Sequence, residues 1–302
     1  VESRRDDLDL YIRSGSDFIP RRDAHHIATS RRSREAVILD GRTDPPLAPG
    51  PYFVHVHRTT RASHEMPYSI EFTSGTEAPA RCLEIPPLPT DRTGLPGTIP
   101  ATVEILGASN AGAGVVIDPR GWLLTAQHVV DDPLQGDTPW VVSVTLDETQ
   151  PPVEMFLARV VEQDPEGDIA MLRIFSGLHG QPLPEGYRFP CLSATCRERL
   201  PVGSILRAIG YPTVGGMGSR EPISVAEGIL SGFDRAGDRI LWKTDMTIGH
   251  GNSGGPVIDG QGRLVGIATS MLSDPTGDPT SYGYFFPMES LPEAWLEHLR
   301  EK

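Results

Sequence analysis

Residues 249–257, GHGNSGGPV, place a serine at the centre of a glycine-rich turn. A serine hydroxyl is a weak nucleophile at neutral pH unless a neighbouring base takes its proton. Its attack on a carbonyl group also needs backbone N–H groups directed at the oxyanion that develops. Glycines on both sides of Ser253 allow the sharp turn that this geometry needs. The stretch predicts a nucleophilic serine, and the alternative is a glycine-rich turn that contains Ser253 by chance.

Two upstream segments favour a nucleophile. LLTAQHVV (residues 123–130) places His128 at the end of an apolar strand, and DIAML (residues 168–172) places Asp168 at the start of another. A catalytic triad needs a histidine that carries the proton and a carboxylate that holds the tautomer of that histidine. A single histidine beside apolar residues is more often a core residue. His, Asp and Ser together, each in a β-rich context, predict a triad.

These segments resemble those of chymotrypsin-fold, trypsin-like serine proteases, and most of all those of the HtrA (Deg)-like branch. The supporting stretches are GAGVVIDPRGWLLTAQHVV, AIGYP and LVGIATSML, which begin at residues 112, 208 and 264. The resemblance extends from about residue 101 to residue 291. It implies an all-β fold, a chymotrypsin-like double β-barrel that ends in a C-terminal helix.

The resemblance also implies the roles of individual residues. His128 would be the general base, Asp168 its orienting partner and Ser253 the nucleophile. The backbone N–H groups of Gly251 and Ser253 would form the oxyanion hole. His250 departs from the family, because HtrA-like proteins usually carry Pro at that position.

By the same resemblance, Thr247 and Ile248 line the primary specificity pocket. Thr247 stands six residues before Ser253, where trypsins carry an acid. Without a carboxylate, a buried Lys or Arg side chain would have no partner for its charge. The branched Ile248 would narrow and dry the pocket, which predicts a small aliphatic residue such as Val, Ala or Leu at the cleaved bond. Asp245 would reverse this preference if its carboxylate turned into the pocket.

The alternatives to a serine protease are an α/β-hydrolase and a non-catalytic binding protein. Residues 251–255 fit G-x-S-x-G, the nucleophile elbow of α/β-hydrolases, but that fold needs a helix after the serine and an Asp and a His further on. Here Pro256 and a strand-like segment follow, and His298 is the only later histidine, so we reject that fold. The other alternative is a catalytically silent binding protein that keeps the protease fold as a scaffold. The complete set of triad residues argues against it.

Residues 1–74 show a second β pattern. DLDLYI (residues 7–12), YFVHVH (residues 52–57) and SIEFT (residues 69–73) alternate polar and apolar residues, which predicts a small antiparallel β-sandwich domain. Residues 21–34 have no clear period and are expected to form a loop. The segment resembles the bacterial pre-peptidase C-terminal domain family in DLDLYIRSG and PGPYFVHVHR.

The proline-rich residues 75–98 predict a semi-rigid linker, which leaves residues 99–302 as the protease domain. Short apolar runs between Gly and Pro predict barrel strands in this part of the chain. The predicted strands are residues 114–117, 140–146, 169–174, 205–209, 240–244 and 264–269. Ser290 and Glu293 predict a capping box for a final helix, whose apolar residues are Leu291, Trp295 and Leu299.

The net charge is −13, and residues 99–302 hold 26 acidic side chains against 14 basic ones. Such a surface argues against nucleic-acid binding. The sequence contains no apolar run long enough for a transmembrane segment. We expect protein or peptide substrates, no cofactor, and an N-terminal domain that tethers the protease or positions its substrate. The chain begins at Val1 without a signal segment, which suggests a mature form or an excised fragment. The family resemblance implies a secreted or periplasmic bacterial protein.

Metal and disulfide chemistry have weak support. His55 and His57 share one strand face, but a solvated outer face explains them, and no zinc site is predicted. A solvated acidic strand end likewise explains the aspartates near the N-terminus, Asp6, Asp7 and Asp9. Cys191 and Cys196 are close enough in sequence to pair across a short loop, which the sequence leaves open.

Overall fold

The computed structural model describes most of the chain after residue 95 and short segments before it. The described residues are 8–14, 24, 26–28, 49–58, 85–90, 95–136, 138–178, 180–193, 198–212, 222–236, 239–246, 248, 251–269 and 283–300. The chain divides into two compact units. The first contains residues 1–86, 133–139 and 176–185, and the second contains residues 87–132, 140–175 and 186–302.

The first unit contains a three-stranded antiparallel sheet in the order β2-β1-β3. β1 Leu8–Ser14 and β3 Tyr52–Arg58 pair over their whole length and lie where alternation predicted strands. β2 His26–Ala28 falls within residues 21–34, so the loop that we expected there is wrong for these three residues. Three residues are too few to show a period of two, and the edge of β1 supplies the backbone partners of β2.

β1 is the central strand of this sheet, and both of its faces are covered at Tyr11 and Ile12. Tyr11 and Ile12 are successive residues, so their side chains point to opposite faces, and both are buried. The third predicted strand, residues 69–73, lies outside the described residues. The β-sandwich, and the domain boundaries at residues 74 and 98, stay predictions.

A first closed barrel is formed by six antiparallel strands in the order β4-β5-β6-β9-β8-β7. Pairing of β4 with β7 closes the barrel. β7 is buried along its whole length, which explains why it is a continuous apolar run interrupted only by a small serine. The strands are β4 Thr102–Leu106, β5 Ala111–Asp118, β6 Trp122–Thr125, β7 Trp140–Val144, β8 Val153–Asp164 and β9 Ile169–Gly177.

A second closed barrel follows, in the order β10-β11-β12-β15-β14-β13. It is closed by pairing of β10 with β13. Its strands are β10 Ile205–Gly210, β11 Ser224–Ala236, β12 Arg239–Thr244, β13 Pro256–Asp259, β14 Leu264–Ala268 and β15 Gly283–Pro287. The two barrels confirm the predicted all-β, chymotrypsin-like double-barrel fold.

One element lies where we expected only linker. α1 Leu95–Ala101 overlaps the end of the proline-rich stretch. Pro96 can occupy the first turn of a helix, because the N–H groups of that turn have no partner within the helix. The hydroxyl of Thr102 donates to the Thr98 carbonyl oxygen at 2.8 Å, which joins α1 to β4.

A buried apolar cluster joins the two barrels to the end of the chain. It contains Val115, Ile117, Leu124, Ile169 and Met171 from the first barrel, Leu264, Ile267 and Phe286 from the second, and Met288, Leu291 and Trp295 beyond it. Full burial of each large aliphatic side chain contributes roughly 1.5–3 kcal/mol, so this cluster is a main source of stability.

The chain ends in two 3-10 turns, Met288–Ser290 and Glu293–Leu296, and the short helix α2 Glu297–Arg300. Leu291 and Trp295 are buried as predicted, but the capping box is wrong. Pro292 occupies the N-cap position of the second turn, and no side chain caps it. Ser290 belongs to the preceding turn. Pro292, whose ring fixes its φ, precedes the second turn in the place where a capping side chain was predicted. No helix in the described residues is both long enough and apolar enough to cross a membrane.

Candidate active site

His128 lies directly beyond the end of β6. The strand is almost entirely buried, and its apolar run ends at Ala126, after which the 3-10 turn Gln127–Val129 begins. Val129 is buried and anchors the turn, whereas the His128 side chain is 43% exposed. The sequence therefore presents an accessible imidazole on a rigid support.

Asp168 ends the turn that leads into β9. Its φ of +51° is the one positive value of a non-glycine residue in the described chain. Aspartate tolerates this left-handed conformation better than most residues, because its short polar side chain can form local hydrogen bonds. Thr125 lies opposite Ala170 in the pairing of β6 with β9, so the end of β6 lies beside the start of β9. This pairing brings His128 and Asp168 together.

The Asp168 carboxylate contacts His128 at two places. Nδ1 of the imidazole lies 2.9 Å from Oδ1 and 2.8 Å from Oδ2, and the backbone N–H of His128 donates to Oδ1 at 3.0 Å. A carboxylate accepts only, so Nδ1 carries a proton in this contact. The lone pair of the neutral ring is then at Nε2, which leaves that atom able to accept a proton.

Ser253 lies in the turn before β13, and the peptide that joins it to Gly254 is anchored at both its carbonyl oxygen and its N–H. Its carbonyl oxygen accepts a hydrogen bond from Ala113 N–H of β5 at 2.8 Å, and Gly254 N–H donates to the Ala268 carbonyl oxygen at 2.7 Å. The Ser253 hydroxyl donates to the Thr269 carbonyl oxygen at 3.3 Å, a long bond.

The turn that carries Ser253 packs against the strands that carry His128. A Cβ atom added at Gly112 would lie 2.5 Å from a methyl carbon of Val129 and 3.0 Å from the Ser253 carbonyl oxygen. A Cβ added at Gly254 would lie 2.1 Å from the Thr125 hydroxyl oxygen. Glycine at both positions permits this approach, so the turn of Ser253 lies against the elements that carry His128, which itself contacts Asp168.

Gly251 opens the same turn with a φ of +92°. A Cβ atom there would lie 2.0 Å from the Tyr211 carbonyl oxygen, so only glycine fits. Among the described residues, the N–H groups of Gly251 and Ser253 donate no hydrogen bond. As far as the described residues show, both N–H groups can donate to a ligand.

A family model described as a trypsin-like peptidase domain matches residues 112–267, a range that contains all three of these residues. The chain belongs to this family. The resemblance to trypsin-like serine proteases stated from the sequence is thereby confirmed. The likeness of residues 1–74 to the pre-peptidase C-terminal domain family stays a prediction.

Relatives of this trypsin-like peptidase include two bacterial endoproteases. Periplasmic serine endoprotease DegP from Salmonella typhimurium is 32% identical over 182 residues, which cover 58% of this chain and 33% of DegP. Serine endoprotease DegS from Escherichia coli K12 is 30% identical over 183 residues, which cover 59% of this chain and 45% of DegS. The match thus spans a third to a half of these relatives. A solved protease domain, MamO from Magnetospirillum magneticum, has a TM-score of 0.49 and 23% identity, covering 68% of this chain and 98% of that domain.

Sequence reasoning missed two residues that support the His128 turn of the peptidase. The Asn110 amide donates to the carbonyl oxygens of His128 at 3.2 Å and Asp131 at 3.0 Å. Asp132 is buried and accepts hydrogen bonds from the backbone N–H groups of Ser109 and Asn110. These contacts join residues about twenty positions apart, so a local sequence pattern does not predict them.

The predicted specificity pocket is described only in part. Thr247 lies outside the described residues, as do Gly249 and His250. Ile248 is buried in the core of the second barrel, and a Cβ added at Gly283 would lie 2.8 Å from its side chain. The pocket stays a prediction.

Asp245, the acid that would reverse the predicted preference, has a defined partner. Its Oδ1 accepts a hydrogen bond from the Ile229 N–H at 2.7 Å. Its carboxylate also lies where a Cβ of Gly228 would be, at 2.3 Å. The carboxylate is thus held against the backbone of β11.

In the described parts of the chain, no group of three or more His, Cys, Asp or Glu side chains is placed to hold a metal ion. His55 lies on β3 opposite Tyr11, and the side chains of His57 and the N-terminal aspartates are outside the described set. Cys191 is a free thiol, and burial raises its pKa, with a further contribution from Asp118. Cys196 lies outside the described residues.

Proposed function

We propose that this trypsin-like peptidase is a serine endopeptidase that hydrolyses peptide bonds of protein substrates through an acyl-enzyme intermediate. The proposal rests mainly on the contact of His128 Nδ1 with both carboxylate oxygens of Asp168, beside an anchored turn that carries Ser253. In this mechanism His128 is the general base, Asp168 orients it and Ser253 is the nucleophile.

In the first step, Ser253 Oγ attacks the substrate carbonyl carbon while its proton moves to His128 Nε2. The oxyanion accepts hydrogen bonds from the N–H groups of Gly251 and Ser253. His128 then gives the proton to the leaving amine, and the C–N bond breaks to leave an ester on Ser253. A water molecule attacks this ester as His128 takes its proton. His128 then returns the proton to Ser253 Oγ as the C–O bond breaks, which releases the acid and restores the serine.

The mechanism requires the Ser253 hydroxyl to leave the Thr269 carbonyl oxygen. Their separation of 3.3 Å is at the long end of hydrogen-bond distances, so little energy opposes rotation about χ1 toward His128. Catalytic hydrogen bonds are often loose without substrate and tighten when it binds. Contact with substrate would therefore complete the triad.

We propose that the enzyme prefers a small aliphatic residue, such as Val, Ala or Leu, at the cleaved bond. Asp245 fits this preference, because the Ile229 N–H holds its carboxylate against the backbone of β11. Thr247 and Ile248 would line the pocket, and each methylene that fits it would contribute ~1 kcal/mol or more.

The cellular location of the enzyme is proposed from one of its relatives. The name of the DegP relative places that protein in the periplasm. By analogy we propose a secreted or periplasmic bacterial enzyme that uses no cofactor. The unit that contains residues 1–74 would tether the protease or position its substrate.

The experiment compares three proteins with a fluorophosphonate probe and a peptide substrate. Wild type should be labelled and active, and Ser253→Ala should lose both properties while it remains folded. Ser204→Ala is the matched control, because its hydroxyl also donates to a backbone carbonyl, that of Pro201 at 2.7 Å. We expect that control to behave as wild type.

Two results would contradict the proposal. Wild-type turnover in Ser253→Ala would assign the chemistry to another residue. A folded wild type that neither reacts with the probe nor cleaves protein substrates would favour the catalytically silent binding protein.

A further inference from the structure

We propose that Tyr211 is a positioning residue for the oxyanion hole, because it fixes the Gly251 turn to the first barrel. The inference rests on the proposed peptidase function. Tyr211 directly follows β10 in the stretch AIGYP, and it is 4% exposed. A buried phenol hydroxyl needs hydrogen-bond partners, and those partners are the parts of the fold to which Tyr211 is attached.

Within the described part of the chain, two hydrogen-bond partners of the Tyr211 hydroxyl belong to the first barrel. Oη donates to the Thr102 carbonyl oxygen at 2.9 Å, at the start of β4. The Thr145 hydroxyl, just beyond β7, lies 2.9 Å from Oη and donates to it, since the Oη proton is already engaged. Thr102 and Thr145 are themselves buried. The phenol therefore has one fixed orientation, and the first barrel sets it.

The backbone of the same residue holds Gly251. Tyr211 N–H donates to the Gly251 carbonyl oxygen at 3.0 Å. The Tyr211 carbonyl oxygen occupies the space where a side chain at Gly251 would start, at 2.0 Å from that Cβ position. Movement of the Tyr211 backbone would therefore displace the Gly251 Cα and the peptide that follows it, and the Gly251 N–H would move with them.

Ser253, the other oxyanion donor, has anchors that do not involve Tyr211. Its carbonyl oxygen accepts from Ala113, and the next residue, Gly254, donates to Ala268. Loss of the phenol hydroxyl should thus misplace one donor and leave the nucleophile in position. Transition-state stabilisation should fall, while binding of substrate should not change.

The test is Tyr211→Phe, which keeps the ring and removes both hydrogen bonds to the first barrel. Full loss of one oxyanion donor costs roughly 10²–10³ in kcat, and a misplaced donor should cost about tenfold, with KM unchanged. The inhibition constant of a peptide aldehyde should rise by the same factor, because its tetrahedral adduct places an oxygen in the hole. Kinetics are normalised by fluorophosphonate titration, and the pH profile of kcat/KM should keep its shape.

Tyr187→Phe is the matched control, because Tyr187 packs against Phe189 in an aromatic cluster of the first barrel. We expect wild-type kcat and aldehyde affinity in that variant. If Tyr211→Phe does not fold, Thr145→Val removes one of the two hydrogen bonds from the other side. It should lower kcat and aldehyde affinity together, by about threefold.

Unchanged kcat and aldehyde affinity in Tyr211→Phe, or in Thr145→Val if the first variant does not fold, would overturn the inference. A rise in KM without loss of kcat would also overturn it, since that would indicate a role in substrate binding. Failure of the proposed function would be visible separately, as a wild type that shows no Ser253-dependent cleavage, and it would overturn both proposals.

Discussion

Gly251→Ala is the most direct test of the proposed role of the Gly251 N–H in the oxyanion hole. The φ of +92° is one that residues with a side chain rarely adopt, and the new Cβ would lie 2.0 Å from the Tyr211 carbonyl oxygen. Heavy atoms do not approach so closely, so the Gly251 peptide must shift. We expect kcat to fall by roughly 10²–10³, or about 2.7–4 kcal/mol, which is the usual cost of removing one oxyanion donor.

Gly203→Ala is a matched control for the backbone strain. Gly203 has a φ of +91°, but nothing lies within 4 Å of its Cβ position. Both variants should lose roughly 1–2 kcal/mol of unfolding free energy because of the left-handed backbone, and only Gly251→Ala adds the clash. Calorimetry should show a lower Tm in both, by about 2–4 °C per kcal/mol. Peptide hydrolysis should be impaired in Gly251→Ala alone.

The kinetic difference between the two variants is the decisive quantity. Rates are normalised to the concentration of folded enzyme, which separates loss of protein from loss of catalysis. If Gly251→Ala keeps the kcat of Gly203→Ala, the Gly251 N–H has no part in stabilising the transition state. Equal losses of kcat in both variants would indicate that strain alone impairs the enzyme, which would also refute the argument.

Asp168→Asn should lower kcat by roughly 10⁴, because an amide can donate to His128 Nδ1 and then favours the wrong tautomer of the histidine. Steady-state kinetics would measure this loss, and a loss below tenfold would contradict the role of Asp168. Thr247→Asp should shift cleavage toward Arg and Lys in proteomic profiling, whereas we expect wild type to cleave after small aliphatic residues. Cleavage mainly after Arg or Lys in wild type would contradict the pocket assignment. Burial raises the pKa of Asp118, but hydrogen bonds from Arg120 and its charge outweigh that effect, so the pKa is lowered. The resulting stability is present above pH ~4, the value for an unfolded aspartate, and is lost as the pH falls through the lower folded value. Acid unfolding followed by circular dichroism should therefore be less steep in Asp118→Asn, and identical curves would contradict the contribution of this pair.

Much of the double barrel was predictable because its strands are short apolar runs that end at turn residues. The runs at residues 114–117, 169–174 and 205–209 each lie within an observed strand. The observed pairing of β6 with β9 then places the predicted His128 and Asp168 at adjacent strand ends. The part of the site that depends on local pattern and chain order could therefore be predicted.

The rest depends on contacts that no local pattern records. Asn110 binds the His128 carbonyl oxygen across 18 positions, and Tyr211 binds Thr102 across 109. β2 was missed because it is short and depends on its partner strand, and the final capping box was wrong because Pro292 begins the turn. Each of these features is determined by the neighbours that the fold supplies.

The same buried cluster supports all three parts of the proposed triad. Leu124 lies in the strand that leads to His128, Ile169 follows Asp168, and Ile267 lies two residues before Thr269, the present partner of the Ser253 hydroxyl. His128 and Asp168 are carried by the first barrel and Ser253 by the second, so the distance between base and nucleophile depends on how the barrels pack. A displacement of about 1 Å can cost a hundredfold in rate. The cluster that stabilises the fold is therefore also the part of the protein that sets the geometry of catalysis.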